Sequence, residues 1–400
     1  MDKPKKGALD GLRVIDLTRV LSGPFCTAIL ADLGADVIKI EPPKGDPVRG
    51  QGTIRDGHSW YFANFNRNKK SVVIDLYSTD GKDILRQLLS TADVVVENFR
   101  PGTMDKLGLG TSALKALNPR LITASVNGYG TDGPYADRPA FDFVVQAMSG
   151  FMSVNGDDGA AAMRAAPPMT DLVAGVYAAT GILAAVRSRD ITGQGQPVEV
   201  SMMNGIISMM AYLATEYFAT GQLPQRTGND HPLVAPYGLY RVADGEVAIA
   251  PSNDVILKRF FDAIDLGWVL DDPRFDTNDK RFGKRPELQK LIEARLGAQT
   301  KDHWIKVLNA AGVPCGRVQD FDQVFADPQV QAQQMALDVD YPGRGPVRML
   351  GFPIKLGATP CVMARPSPEL GEHTTEVLRD NGLTDTQIAR LRDEGVIGGS

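Results

Sequence analysis

An open α/β architecture on a parallel sheet is predicted for the first two hundred residues, with a smaller α+β domain behind it. Three observations predict it. Short, almost wholly apolar runs recur at the spacing of βαβ units, and helix-length stretches separate them. A turn-rich segment at 220–232 then gives way to a hairpin signal and closely spaced helices.

Residues 12–17 read as the first strand. Residues 22–34 read as a helix with Ser22 as its cap, Pro24 in the first turn, and Gly34 as its stop. A second strand follows at 36–41, and a polar, glycine-rich loop leads to a third at 71–76. A helix at 81–90, a strand within 92–99 and another at 121–127 continue the alternation. Because these strands are apolar on both sides of the pleat, their sheet needs cover on both faces. A long helix of small and apolar residues runs from Asp171 to Arg187. Past the turn-rich stretch, strands at 238–242 and 246–250 flank Asp244-Gly245, a hairpin signal, and helices near 253–264, 286–297 and 301–312 follow. Helix signals at 371–381 and 384–394 leave a tail long enough to return to the first domain. The boundaries drawn from this texture are 1–219 for the N-terminal part of a large domain, 220–330 for a small one, and 331–400 for the returning segment.

The formal charge of −5, with Lys and Arg spread along the chain, argues against a nucleic-acid surface, so an anionic ligand must be met by a local cluster. Residues 1–7 are polar and lack the apolar core of a signal peptide, and no unbroken apolar run reaches about 18 residues, so a cytosolic protein without a membrane partner is expected. Cys26, Cys315 and Cys361 lie far apart, and His58, His231, His303 and His373 show no zinc-binding spacing. Neither a disulfide framework nor a metal site is indicated.

A dinucleotide enzyme is the first candidate for such a sheet, with Glu41 ending the second strand where a ribose-binding acid sits. The glycine fingerprint is missing, because the first strand runs into Asp16-Leu-Thr-Arg-Val-Leu-Ser-Gly-Pro24. Glu41 then reads as a strand-end solvent group, and Ser22-Gly23 as a place where a ligand approaches a helix N-terminus. Two basic clusters are candidates for phosphates: Arg67-Asn-Lys-Lys70 before a strand, and Asn98-Phe-Arg-Pro-Gly-Thr-Met-Asp-Lys106 after one. The second stands at a strand's carboxyl end, where open α/β sheets bind ligands; the plain alternative for both is surface charge. Asp171 heads the long helix, where free N–H groups keep a carboxylate ionised. Its ordinary role there is an N-cap, and its alternative role is a nucleophile toward an activated acyl carbon. No other residue pattern supplies an obvious nucleophile.

Seven motifs carry a resemblance. Leu12-Arg-Val-Ile-Asp-Leu-Thr-Arg-Val-Leu-Ser-Gly-Pro24, Leu33-Gly-Ala-Asp-Val-Ile-Lys-Ile-Glu-Pro-Pro43, Asn66-Arg-Asn-Lys-Lys-Ser71 and Glu97-Asn-Phe-Arg-Pro-Gly102 come first. Asn127-Gly-Tyr-Gly-Thr-Asp-Gly-Pro-Tyr135, Thr192-Gly-Gln-Gly-Gln196 and Leu370-Gly-Glu-His-Thr374 complete the set. In this order, from about residue 8 to the C-terminus, they resemble the class III CoA-transferases. That family includes formyl-CoA:oxalate and carnitine-type CoA-transferases, with α-methylacyl-CoA racemase as a close relative. The resemblance implies an interlocked homodimer, an open Rossmann-like large domain that binds CoA, and a small domain contributing to the acyl site. It implies that coenzyme A enters as acyl-CoA substrate rather than as a tightly bound cofactor, with a carboxylic acid as acceptor. It matches the catalytic aspartate to Asp171, and the CoA contacts to Val20, Leu21, Ser22, Ile74, Asp75, Asn98, Phe99, Arg100, Lys106, Ala140, Phe141 and Asp142.

Two departures bear on substrate. Where the racemases carry a histidine base, this chain has Phe141, which removes one of the two bases that α-carbon proton transfer needs. Where formyl-CoA transferases have a run of glycines, it has Gly228-Asn-Asp-His-Pro-Leu-Val-Ala-Pro-Tyr237, and Pro42 replaces an arginine used there on CoA. Lys69, Lys70 or Arg100 is then left to meet the CoA phosphates. The segment 228–237 is a candidate water-excluding lid, with an ordinary linker as the alternative. It resembles the loop of relatives that use succinyl-CoA or other dicarboxylyl-CoA donors, where Arg226, His231 or Arg241 would pair with a distal carboxylate. Met202 and Met203 read as core or acyl pocket, and Phe141 and Phe143 as packing. The expected activity is CoA transfer through an aspartyl anhydride and aspartyl-CoA thioester. A 2-methylacyl-CoA racemase and a non-catalytic acyl-CoA binding protein are its alternatives.

Overall fold

The computed structural model describes residues 7–399; the polar stretch at 1–6 and the final Ser400 lie outside the described residues. The chain forms two compact units. The first comprises the residues up to Gly150, Ala165–Ala211 and everything from Gln329 on; the second comprises Phe151–Arg164 and Tyr212–Pro328. The excursion at 151–164 joins the second unit because Arg226 donates to the carbonyls of Ser153 and Ala160, and Gly228 N–H to that of Gly156.

In the first unit, strands β1 (Arg13–Asp16), β2 (Asp36–Glu41), β3 (Lys69–Ile74), β4 (Val94–Glu97), β5 (Ile122–Asn127) and β6 (Pro197–Ser201) pair in parallel. Their spatial order is β3-β2-β1-β4-β5-β6. This is the doubly wound order, in which the chain reverses its direction of travel between β1 and β4 and leaves a crevice beyond the carboxyl ends of those strands. The C-terminal strand Ile397–Gly398 pairs antiparallel on β3, so the tail closes one edge of the sheet.

Helix α1 (Ser22–Asp32) links β1 to β2, α2 (Trp60–Asn66) precedes β3, and α3 (Thr79–Ser90) links β3 to β4. Ser78 caps α3 by accepting the Gly81 N–H. One face of the sheet is apolar in the manner the strand runs predict: Ile15, Ile38, Ile40, Val72 and Ile74 pack against Leu85, Leu88 and Leu89 of α3 and against Val377, Leu378, Ile388 and Leu391 from the C-terminal helices.

The other face is mixed, with Val14, Val37 and Val73 buried beside polar side chains. Asp16, Lys39, Glu41, Lys69 and Ser71 alternate with the apolar-face residues on β1, β2 and β3, and all are at most 1% exposed. Burying an ion costs several kcal/mol unless it is paired and hydrogen-bonded. Here each is. Lys69 Nζ lies 3.0 Å from Asp16 Oδ2, and Lys39 Nζ lies 3.0 Å from Asp46 Oδ2. Glu41 takes Arg49, Ser71 Oγ and the Asp46 N–H. Glu41 is therefore not the solvent group the sequence suggests, and its occupied oxygens leave nothing for a ribose.

Helix α4 (Asp142–Met148) and the 24-residue α5 (Met169–Thr192) complete the part of the first unit that matters for the site. By length and composition α5 would pass for a membrane span. Its Val173, Ala174, Gly175, Ala178, Ile182 and Ala185 are buried, and it packs on α1, β5 and β6 as a core helix.

The second unit is a three-stranded antiparallel sheet, β7 (Gly238–Val242), β8 (Gly245–Ile249) and β9 (Cys315–Arg317), covered by helices α6 (Asp254–Ala263), α7 (Arg285–Leu296) and α8 (Lys301–Ala310). Gly245, at φ 135, opens the second arm of the hairpin, in register with Val242. Phe260, Phe261, Trp304 and Ile292 form its core.

Candidate active site

The turn from β1 into α1 is held by side chains rather than by its own backbone. Asp16 accepts the Thr18 N–H at 2.8 Å, Lys39 Nζ donates to the Thr18 carbonyl at 2.7 Å, and Asn98 brackets Arg19, accepting its N–H at 2.9 Å and donating to its carbonyl at 2.7 Å. Val20 has φ 69 and donates its N–H to Asp46. Leu21 is the N-cap and makes no side-chain cap bond, so Ser22 is not the cap the sequence suggests but the first helical residue. Gly23 lets the turn close, because a Cβ there would lie 2.4 Å from Thr18 Cγ2.

Asp171 is the third residue of α5, half-buried, and is not an N-cap. The capping group comes from another helix. Asp142 Oδ1 accepts the Thr170 N–H at 2.8 Å and its hydroxyl at 2.9 Å, while Oδ2 takes Gln146 Nε2 at 2.7 Å. One turn beyond Asp171, Gly175 lets α5 press on the start of α1: a Cβ there would stand 2.9 Å from both the Ser22 carbonyl oxygen and Phe25 Cδ1. That approach brings the Ser22 hydroxyl to Asp171. Burial and the nearby Asp142 charge push the Asp171 carboxyl up to about 7, against a smaller lowering by the Ser22 hydrogen bond. Tyr61 of α2 joins the group: burial, then the charges of Asp171, Asp46 and Asp142, raise its phenol to about 12.

Beyond the carboxyl ends of β1 to β4 lies a cavity of about 780 Å³, lined by the segments 17–19, 39–47 and 74–77 and by Lys82, Phe99, Arg100, Thr103, Lys106 and Leu107. It occupies the switch point of the sheet, and its size suits a ligand larger than a simple acid. Arg19, Lys82, Arg100 and Lys106 border it without an ion pair among the described residues. Phe99 offers a ring face, which the Arg19 guanidinium overlies at 5.7 Å. Among the described residues no cluster of three or more His, Cys, Asp or Glu could hold a metal ion.

The model of CoA-transferase family III matches residues 9–374. The chain belongs to this family. It is 36% identical over 384 residues to the succinate–glutarate CoA-transferase of Agrobacterium fabrum, spanning 94% of this chain and 96% of that protein. It is 40% identical to the acetyl-CoA:oxalate CoA-transferase of Acetobacter aceti, over 92% and 94% of the two chains. A crystal structure of a CAIB/BAIF family protein from Brucella suis is similar at a TM-score of 0.83, with 36% identity over 94% of this chain and 100% of that one. The protein is thus an enzyme of the CoA-transferase class, whose substrates are CoA thioesters.

Of the positions expected on CoA in this transferase, Ile74, Asp75, Phe99, Arg100 and Lys106 border the cavity. Asn98 instead braces Arg19, and Val20, Leu21 and Ser22 form the turn that meets Asp171. Phe141 is 70% exposed beside the buried Asp142, and Ala140 lies against Gly128, where a Cβ would approach its own to 2.2 Å. Two expected cations are excluded. Lys69 is fully buried and donates to Asp16, the Pro24 carbonyl and Asn66 Oδ1, which uses its three protons. Lys70 points away from the cavity to Asp36 and Glu376. Lys82 and Tyr61 were missed. Their only signal was position, Lys82 in the first turn of the helix after β3 and Tyr61 in a short aromatic helix.

In the second unit, the segment 228–237 is bolted down. Asn278 bonds Leu233 and Ala235, Arg281 Nε donates to the Ala235 carbonyl at 2.8 Å, and Arg285 donates to the His231 and Val234 carbonyls. His231 accepts the Leu233 and Val234 N–H groups at Nδ1, stacks on Tyr212 and contacts Tyr237. Burial and then the Arg285 charge hold its pKa below the usual value. Arg226 is committed to backbone carbonyls, and Arg241 lies on the exposed side of β7. Met202 is 6% exposed, which is core placement.

Proposed function

We propose that this enzyme moves CoA from a dicarboxylyl-CoA donor such as succinyl-CoA to a carboxylic acid acceptor, with Asp171 as the nucleophile. A carboxylate oxygen of Asp171 attacks the thioester carbonyl; the C–S bond breaks, CoA leaves as thiolate, and an aspartyl–acyl anhydride forms. The thiolate then attacks the Asp171 carbonyl carbon of the anhydride, releasing the first acid as its carboxylate and leaving an aspartyl-CoA thioester. The acceptor carboxylate attacks this thioester and expels the thiolate again. Thiolate attack on the acceptor's carbonyl carbon in the second anhydride then yields the new acyl-CoA and free Asp171. No net proton is consumed, and the thioester energy is never released to water.

The observation that carries this reading is the setting of Asp171: a half-buried carboxylate with a pKa near 7, held by Asp142 through Thr170 and met by Ser22 at the start of α1. The first-turn amides of α1, which have no partner within the helix, are suited to a developing oxyanion and stand to contribute about 3–4 kcal/mol each. The cavity at the sheet's switch point, with Arg19, Lys82, Arg100 and Lys106, suits the phosphates and purine of CoA. The dicarboxylate assignment follows the relatives, which act on glutarate and oxalate. The exposed apolar side chains Phe141, Phe143, Val144, Val176 and Ile191 support burial in a homodimer, and the three free cysteines suit a reducing cytosol. The racemase alternative needs a second base at 141, where Phe141 stands.

Incubation with succinyl-CoA, then hydroxylamine, followed by intact-mass measurement of the wild type and Asp171→Ala tests this. A CoA-sized or hydroxamate adduct at Asp171, in the wild type alone, is the expected result. Adducts only from other acyl-CoAs would overturn the donor. None from a broad panel, with rapid α-hydrogen exchange in the absence of an acceptor, would favour the racemase.

A further inference from the structure

Val20 is the one β-branched residue at positive φ among the described residues; the other non-glycine residues there are Asp56, Asn68, Ala211, Asp265 and Gln334. A β-branched side chain in the left-handed region is a true outlier that persists only where its surroundings impose it. Here the imposing group is Asp46, which leaves β2 on the strand next to β1. The Val20 N–H donates to Asp46 Oδ1 at 3.2 Å and Oδ2 at 3.3 Å. Asp46 is itself immobilised: 2% exposed, paired with Lys39 at 3.0 Å, accepting the Val48 N–H at 3.2 Å, and donating its own N–H to Glu41 at 3.0 Å.

The strained peptide stands immediately before the catalytic turn. Leu21 is the N-cap of α1 and Ser22 its first residue, and Ser22 meets Asp171 across the contact that Gly175 permits. With Thr18 fixed by Asp16 and Lys39, and Arg19 by Asn98, the chain enters α1 through Val20 and the N-cap Leu21, and of the two it is Val20 whose peptide N–H is held by a side chain from outside the turn. We propose that Asp46 is a positioning residue for acyl transfer: by holding the Val20 peptide in its left-handed conformation, it fixes the Ser22 hydroxyl and the first-turn amides of α1 against Asp171. The proposal rests on the assignment of Asp171 as nucleophile.

Asp46→Asn keeps the shape and removes the charge. Lys39 is cationic and keeps the amide oxygen, which turns the NH2 toward the Val20 and Val48 N–H groups, both donors, so Val20 loses its shorter contact and the Val48 bond goes with it. The expected result is a fall in kcat of about tenfold, the scale of a misplaced catalytic group, with KM for acyl-CoA within about threefold. Glycine adopts positive φ without strain, so Val20→Gly added to Asp46→Asn should return kcat to within about threefold of wild type. In a crystal structure of Asp46→Asn, Val20 should relax to negative φ. A raised KM with unchanged kcat would make Asp46 a CoA contact and overturn the proposal. So would a kcat loss that Val20→Gly does not restore, or a Val20 that stays at positive φ in Asp46→Asn. If wild type forms no Asp171 adduct, the nucleophile assignment fails on its own, and Val20 φ in Asp46→Asn still decides the clamp. Should Asp46→Asn not fold because Lys39 loses its partner, Val20→Pro with Asp46 intact decides: proline has no N–H for Asp46 and fixes φ at about −65°, so kcat should fall about tenfold, and an unchanged kcat would overturn the clamp.

Discussion

Asp142 caps Thr170, taking both its N–H and its hydroxyl, at 2.8 and 2.9 Å. The acid that satisfies the start of α5 is thus not the acid carried by α5. That division leaves Asp171, one residue on, free of the capping duty that such a position invites. It also places a second carboxylate near enough to raise the Asp171 pKa.

The pH dependence of catalysis follows. Asp171 must be ionised to attack, so kcat/KM should rise with pH and level off above an inflection near 7. Asp142→Asn keeps an acceptor for Thr170 and removes the like charge, so its inflection should move to lower pH. Initial rates between pH 5 and 9 check both; an inflection unmoved in Asp142→Asn would assign the raised pKa to burial alone.

Stability should move the other way. The folded state raises the Asp171 pKa from the ordinary 3.8 to about 7, so the native protein holds this proton more tightly than the unfolded chain. Stability on this account is full below pH 4, falls as pH rises toward 7, and stays reduced above it. Asp171→Asn should therefore be more stable than wild type by about 1–3 kcal/mol at pH 8, after allowance for solvent screening, with the gain vanishing near pH 4. Urea unfolding at the two pH values measures this, and the variant should be inactive.

Binding of CoA should depend on the cavity's cations. Lys82→Ala and Arg100→Ala should each raise KM for acyl-CoA by about five- to tenfold with little change in kcat, and added salt should narrow the gap from wild type. Steady-state kinetics at two ionic strengths distinguish this from a folding defect, which would lower the active fraction and leave KM alone.

Gly175 and Gly181 lie on the same helix and should behave differently. A Cβ at 175 meets backbone, the Ser22 carbonyl at 2.9 Å, whereas one at 181 meets a side-chain methyl, Val198 Cγ1 at 2.7 Å. Gly175→Ala should push α5 off α1, costing about 1–3 kcal/mol and lowering kcat; Gly181→Ala should cost less and leave kcat unchanged. Thermal melts and turnover rates of the pair test this.

The apolar runs marked β1 to β5 to within about two residues, because a doubly covered parallel strand must be apolar on both sides, whereas the two-residue edge strand Ile397–Gly398 has no such run and was not read. The exception was the face of β1, β2 and β3 that carries Asp16, Lys39, Glu41 and Lys69. In the sequence Glu41 looks like a strand-end solvent group and Lys69 like a phosphate ligand. Their pairing runs across the sheet, from Lys69 of β3 over the intervening β2 to Asp16 of β1, and outward to Asp46 and Arg49, and a strand's sequence does not state its neighbours. Lys69 was misread for this reason.

The chain's own pattern determined that a carboxylate heads a long apolar helix and that Asn98-Phe99-Arg100 stands at the end of a strand, since both follow from local periodicity. Only the tertiary structure decided what those residues became. Asp142 arrives at Thr170 from 28 residues away, Asn98 reaches Arg19 across 79, and Val20 is bent by an acid on the next strand's exit loop. Local sequence sets which conformations are cheap. The choice among them at the site is made by buried polar partners, whose hydrogen bonds are worth most where water is excluded and which are brought together only when the sheet assembles.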